Sequence, residues 1–180
     1  MSPSPGVIDV KLGDLAQLFN SFDPSPFHER DLDPRAEVFI VSWARELSER
    51  GPIRIVLHLP EGAAQAAKQP ELARAITHYF SESAAMAGRE LREELRQGVR
   101  YAWVALPVLS LCLALSQVAR NVLPPQGPVT LVVESLIILG WVACWKAIET
   151  LLYDWQPIKR RRDLYLRLAN ADVVLGDPTR

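Results

Sequence analysis

Residues 101–153 read YAWVALPVLSLCLALSQVARNVLPPQGPVTLVVESLIILGWVACWKAIETLLY, two apolar segments separated by a turn. The first segment, Tyr101–Ala119, has no charged residue. As a helix it would be about 28 Å long, close to the roughly 30 Å hydrocarbon core of a bilayer. The second segment, about residues 129–152, is similarly apolar, and the intervening residues 120–128 hold three prolines and a glycine that cannot continue a helix. The sequence predicts a transmembrane helical hairpin.

Positive charges flank this hairpin on one side. Basic residues precede the first segment and follow the second, whereas the turn has only Arg120. The positive-inside rule therefore predicts that both termini are cytoplasmic. Tyr101 and Trp103 at the start of the hairpin, with Tyr153 and Trp155 at its end, indicate an interfacial aromatic belt on the same side. The flanking basic residues are Arg89, Arg92, Arg96 and Arg100, then Lys159, Arg160, Arg161 and Arg162.

The remaining sequence has room for one small domain. Residues 1–100 are predicted to form a cytoplasmic domain with a juxtamembrane helix, and residues 154–180 a basic cytoplasmic tail. The mildly acidic N-terminal region argues against a nucleic-acid surface. Both cysteines, Cys112 and Cys144, lie in the apolar segments, where cysteine behaves as a small hydrophobic residue. The N-terminus does not resemble a signal peptide. No cofactor is expected.

The small domain is predicted to be α+β, with two or three strands and helices. Residues 7–12 and 53–59 are rich in β-branched residues, as strands are, and residues 172–175 are a candidate last strand returning to the domain. A long helix is predicted to begin at Pro70 and to run into the first membrane span.

Two shorter helices are marked by capping residues. Asp14 is the expected N-cap of a short helix, and Asp33 followed by Pro34 predicts a second helix that continues to about Arg50. The apolar face expected for that second helix consists of Val38, Ile40, Val41, Ala44 and Leu47.

Three ionisable residues lie in the second apolar segment. Lys146 is expected to reach the cytoplasmic surface and to pair with Glu149, three residues further along the helix. Glu134 has no such partner in its own helix, so it needs Arg120, Gln117, a neighbouring subunit or a bound proton. It is predicted to lie away from the small residues of its helix, on a face with Ile138, Trp141, Trp145 and Glu149.

Small residues recur along both segments. In lipid they let helix backbones approach closely, so they predict packing of the two helices and, with apolar surface left over, self-association. They are Ala102, Ala105, Cys112, Ser116 and Ala119 in the first segment, and Gly140, Ala143, Cys144 and Ala147 in the second.

One loop concentrates residues that have chemical functions. Histidine beside carboxylates suits metal binding or acid–base catalysis, but no second histidine follows at ligand spacing, and Asp33 already has a capping role. We therefore expect an interaction loop with no catalytic or metal site. The candidate residues are Asp23, Phe27, His28, Glu29, Arg30 and Asp31.

Two stretches, residues 23–43, which include DPSPFHERDLD, and residues 134–162, which include GWVACWKAIE and LYDWQPIKRRR, resemble small, uncharacterised bacterial proteins with two membrane helices. The sequence departs from that pattern at Lys146, Ala147 and Gln156. The resemblance implies a bacterial inner-membrane protein and brings no activity with it.

Together these features favour a non-enzymatic, self-associating inner-membrane scaffold. Its cytoplasmic domain would bind a protein partner or small ligand, and the cluster Lys159–Arg162 would meet anionic lipid headgroups. Two alternatives are a small oligomeric channel or transport accessory that uses Glu134, and a membrane-tethered enzyme that uses the loop from His28 to Asp33.

Overall fold

A computed structural model describes most of the chain and divides it into two compact units. The described residues are 6–20, 31–47, 51–60, 69–124 and 127–176. One unit comprises residues 1–87 together with 160–180, and the other comprises residues 88–159.

The first unit contains a three-stranded parallel sheet. The strands are β1 (Gly6–Lys11), β2 (Ile53–His58) and β3 (Asp172–Leu175), in the order β1-β2-β3. The predicted mixture of helices and strands is confirmed, including the returning last strand. The sequence did not predict that β2 is central and that all three strands are parallel.

The strand order explains why helices cover one face of this sheet. Both crossovers move in the same direction, and right-handed crossovers then place their helices on the same side. The core contains Ile8, Ile55 and Val173 from the strands, packed with Ile40 and other helical residues. On the opposite face, alternate strand residues stay accessible, because successive side chains point to opposite sides.

The helix α1 (Pro34–Glu46) begins as predicted. An oxygen of the Asp33 carboxylate accepts a hydrogen bond from the Arg35 amide at 2.8 Å, and Pro34 takes the first helical position. The helix ends at Glu46, earlier than the expected Arg50. Val38 was wrongly assigned to the apolar face: it is 67% exposed, while Ala36, two residues nearer the start of the helix, is buried. The short helix after Asp14 is a 3₁₀ turn over Leu15–Gln17.

Two long helices dominate the rest of the chain. The first, α2, is continuous over Gln69–Val122, despite Pro107. The second, α3 (Gly127–Glu149), continues through a π-helical turn (Thr150–Asp154) into α4 (Trp155–Ala169). By length and composition, both long helices qualify to cross a membrane, and 17% of the most apolar window in each is buried.

Replacing Asp33 tests the cap of α1. Asp33→Ala should cost about 1 kcal/mol, because the Arg35 amide loses its acceptor. Asp33→Asn, which keeps a side-chain oxygen, should cost much less. Amide hydrogen exchange along α1 in the full chain is the measurement, and equal exchange rates in both variants would contradict the assigned cap.

Candidate functional site

The candidate loop lies largely outside the described residues. This applies to Asp23, Phe27, His28, Glu29 and Arg30. Backbone hydrogen bonds join the two chain segments at the base of the loop. There the Asn20 amide donates to the Asp31 carbonyl at 2.8 Å, and the Asp33 amide donates to the Leu18 carbonyl at 2.9 Å. Among the described residues, no group of three or more His, Cys, Asp or Glu side chains is placed to hold a metal ion.

The accessible face of the sheet carries two side-chain pairs that join neighbouring strands. Arg54 Nε donates to an Asp172 carboxylate oxygen at 2.8 Å, joining β2 to β3. His58 Nε2 lies 2.8 Å from Asp9 Oδ1, joining β2 to β1. The structure places His58 on the central strand.

The geometry around His58 suits a structural role better than catalysis. Its Nδ1 is buried and has no hydrogen-bond partner in the described part of the chain. A methyl group on Gly176 would come within 2.7 Å of this atom, so the backbone after β3 closes over the ring. With Nε2 occupied by Asp9, neither nitrogen is open to a substrate.

Glu37 joins three helices of the first unit. Its carboxylate accepts a hydrogen bond from the Tyr79 hydroxyl on α2 at 2.8 Å and from the Tyr165 hydroxyl on α4 at 3.1 Å. Burial and the hydrogen bond to Glu37 raise the pKa of Tyr79 far above its usual range. Burial and the charge of Glu37 also raise the pKa of Tyr165. In the sequence, Glu37 is recognisable only as an acidic residue in a first helical turn.

In the second unit, small residues bring α2 and α3 together. A methyl group on Gly140 would lie 2.8 Å from Leu109 Cδ1 and 3.3 Å from Cys112 Cβ, so the two backbones approach closely there. Cys144 Sγ lies 3.8 Å from the Ala105 carbonyl oxygen. Gly98 makes a similar approach to Leu151. The small-residue stripes therefore pack against each other, as the sequence predicted.

A polar network surrounds the π-helical turn. Lys146 Nζ lies 3.3 Å from Glu149, the predicted pair, and also 3.2 Å from Asp154. The hydroxyl of buried Thr150 donates to the same Asp154 oxygen at 3.0 Å. The extra residue of a π-turn shifts the helical register, which places Asp154 within reach of Lys146. Sequence spacing of eight residues gave no signal for this contact.

Glu134 occupies the outward face of α3. It is exposed, and it shares this face with Ile138, Trp141 and Trp145, which are each more than 60% exposed. Gly140 and the other small residues lie on the buried side, so the predicted separation of the two faces is confirmed. None of the described residues forms an ion pair with Glu134.

The basic cluster is partly engaged within the chain. Lys159 Nζ lies 5.6 Å from the centre of the Trp155 ring, a cation–π distance. Arg162 pairs with Asp163 at 3.0 Å, whereas Arg160 is exposed. Arg161 also takes part in an interaction.

Comparison with family models, curated proteins and solved structures finds no match to this chain. Its function must therefore be argued from the geometry above.

The tyrosines predict a pH dependence. Folding raises the pKa of the Tyr79 and Tyr165 hydroxyls. Above about pH 10, the unfolded chain therefore loses protons that the folded chain still holds. The contribution of the tyrosines to stability should be complete below that pH and should fall above it. Tyr79→Phe should flatten this decline in denaturation curves between pH 8 and 11, and exposed Tyr101→Phe should not. Parallel curves for wild type and Tyr79→Phe would contradict this role.

Gly140 predicts a steric limit on helix packing. Gly140→Leu should destabilise the α2–α3 contact by about 1–3 kcal/mol, because the added side chain meets Leu109 and Cys112. Gly127→Leu is the matched control, since nothing lies within 4 Å of a side chain added there. Thermal denaturation in detergent should show a lower midpoint for Gly140→Leu alone, and equal midpoints would count against close packing.

Proposed function

We propose that the protein is an integral membrane scaffold, anchored by the apolar half of α2 and by α3. The observation that carries this proposal is the low burial of both apolar windows, 17% in each. A helix at the core of a soluble protein would be mostly buried. Large apolar side chains that point outward along such lengths need an apolar solvent, and the lipid hydrocarbon provides one.

The contacts of the second unit support a hairpin with antiparallel helices. Gly98 approaches Leu151, Ala105 approaches Cys144, and Leu109 approaches Gly140. As residue numbers rise along α2, those of their partners fall along α3. Two antiparallel spans return the chain to the side from which it started.

The flanking charges support a cytoplasmic location for both termini. Four arginines precede the first span and the cluster Lys159–Arg162 follows the second, whereas only Arg120 lies near the turn. The exposure of Tyr101, Trp103 and Tyr153 supports an interfacial aromatic belt on the same side. With the resemblance to bacterial two-helix membrane proteins, this favours the bacterial inner membrane, with anionic headgroups near the basic cluster.

We infer that the cytoplasmic unit serves as a non-enzymatic interaction module. Parallel sheets are normally covered on both faces, yet the described helices pack against one face of this sheet and not the other. Its accessible face, with Val7 44% exposed beside the pairs Asp9–His58 and Arg54–Asp172, is the surface that we assign to a protein partner. The enclosed ring of His58 argues against chemistry at this face.

Reporter fusions test the membrane topology. A reporter that is active only in the periplasm should give signal when fused after Gln126 and none when fused after Arg180, because only the turn crosses to that side. A reporter active only in the cytoplasm should give the opposite pattern and serves as the control. Periplasmic activity after Arg180 would overturn the proposed orientation of both termini.

A further inference from the structure

Two opposite charges near the turn have no partner among the residues that the structure describes. Glu134 and Arg120 are both exposed, and neither forms an ion pair or hydrogen bond with any residue in the described ranges. Glu134 is seven residues into α3, about 10 Å along the helix. In the proposed membrane anchor, this position lies within the hydrocarbon, where a charged side chain without a partner is costly.

These two charges lie at similar depth. The helix contacts pair Gly98 with Leu151 and Leu109 with Gly140. Continuing this pairing toward the turn places Glu134 level with Leu115. Arg120 is five residues beyond that level, about 7.5 Å nearer the turn. The long side chains of arginine and glutamate can together span this offset.

The two charges also lie on one side of the helix pair. Glu134 is turned about 120° around α3 from Gly140, and Arg120 is turned about 80° around α2 from Cys112. Gly140 and Cys112 face each other across the contact. Each rotation has the same sense when viewed along its own helix. Because the two helices run in opposite directions, both charges therefore lie on the same side of the helix pair.

The same side of α3 presents the indole rings of Trp141 and Trp145, 62% and 68% exposed. Large aromatic residues are frequent energetic centres of protein interfaces. A surface that combines opposite charges with such rings fits a partner of complementary pattern at the same depth.

We propose that this partner is a second copy of the chain, and that Glu134 of each copy pairs with Arg120 of the other. This inference rests on the proposed membrane hairpin. A two-fold axis along the membrane normal places α3 of one copy against α2 of its partner, so both ion pairs form at equal depth. The resulting four-helix arrangement covers the tryptophan-bearing face of both copies.

The reciprocal pairing allows a charge-swap experiment on the full chain. Glu134→Arg has two positive charges at this surface and Arg120→Glu has two negative charges, so each variant repels itself. Mixed together, the two variants restore both ion pairs. Differently tagged copies are co-expressed in membranes, solubilised in mild detergent, and captured through one tag to measure co-purification of the other.

Wild-type copies should co-purify. When both tagged copies carry the same single substitution, the amount that co-purifies should fall at least tenfold. The mixture of Glu134→Arg with Arg120→Glu should recover to within twofold of wild type. Val132→Arg is the matched control, since it adds a positive charge two residues away on the opposite flank of α3, and it should retain co-purification. The milder Glu134→Gln and Arg120→Gln should each weaken co-purification without changing the amount of protein in the membrane.

Several outcomes would overturn the pairing. These are a wild type that does not self-associate, single variants that co-purify as wild type does, or a mixture that fails to recover. The double variant carries Glu134→Arg and Arg120→Glu in the same chain. If it assembles while the mixture of single variants does not, the ion pair forms within one chain. Alkaline extraction of membranes separates the two proposals: a chain that stays in the membrane as a monomer defeats only this inference, whereas an extracted chain defeats the membrane anchor itself.

Discussion

In the proposed membrane anchor, the backbone must satisfy its hydrogen bonds within an apolar solvent, and the rest of the structure depends on this requirement. A chain that places about 30 Å of outward-facing apolar residues in lipid must satisfy its peptide groups internally, and the helix does so. Both long helices meet this condition. Pro107 cannot donate to the carbonyl four residues before it, and α2 nevertheless continues past it. In the proposed anchor, the positions of glycines, charges and aromatic rings follow from this one requirement.

Within that constraint, polar groups in and near the proposed spans are paired in two different ways. Lys146 is satisfied locally, because the π-helical turn brings Asp154 beside it and Glu149 lies one turn away. Glu134 has no ion-pair partner among the described residues. The first arrangement stabilises one hairpin by itself, whereas the second leaves a charge that a neighbouring molecule can neutralise. In the proposed assembly, this charge is neutralised by a second copy of the chain.

The first unit is held together by contacts between residues that are distant in the chain. β1 and β2 lie within the first 58 residues and β3 lies at residues 172–175, and each connection between these parallel strands contains a helix, as parallel pairing requires a crossover. Glu37 ties α1 to α2 and α4 through two tyrosine hydroxyls. The described helices cover one face and leave the other accessible, and this asymmetry is the basis for assigning the sheet to a partner in the proposed function.

The sequence by itself determined the features that depend on local chemistry. Apolar length predicted both long helices, Asp33 and Pro34 predicted the start of α1, and the spacing of Lys146 and Glu149 predicted their pair. Tertiary structure alone decided the order and direction of the strands, the union of Glu37 with Tyr79 and Tyr165, and the approach of Asp154 to Lys146. Periodicity and capping report on neighbours within a turn or two. The contacts that only the tertiary structure decided join residues that come together through chain crossover, helix packing or a change of helical register. Local sequence patterns do not encode these.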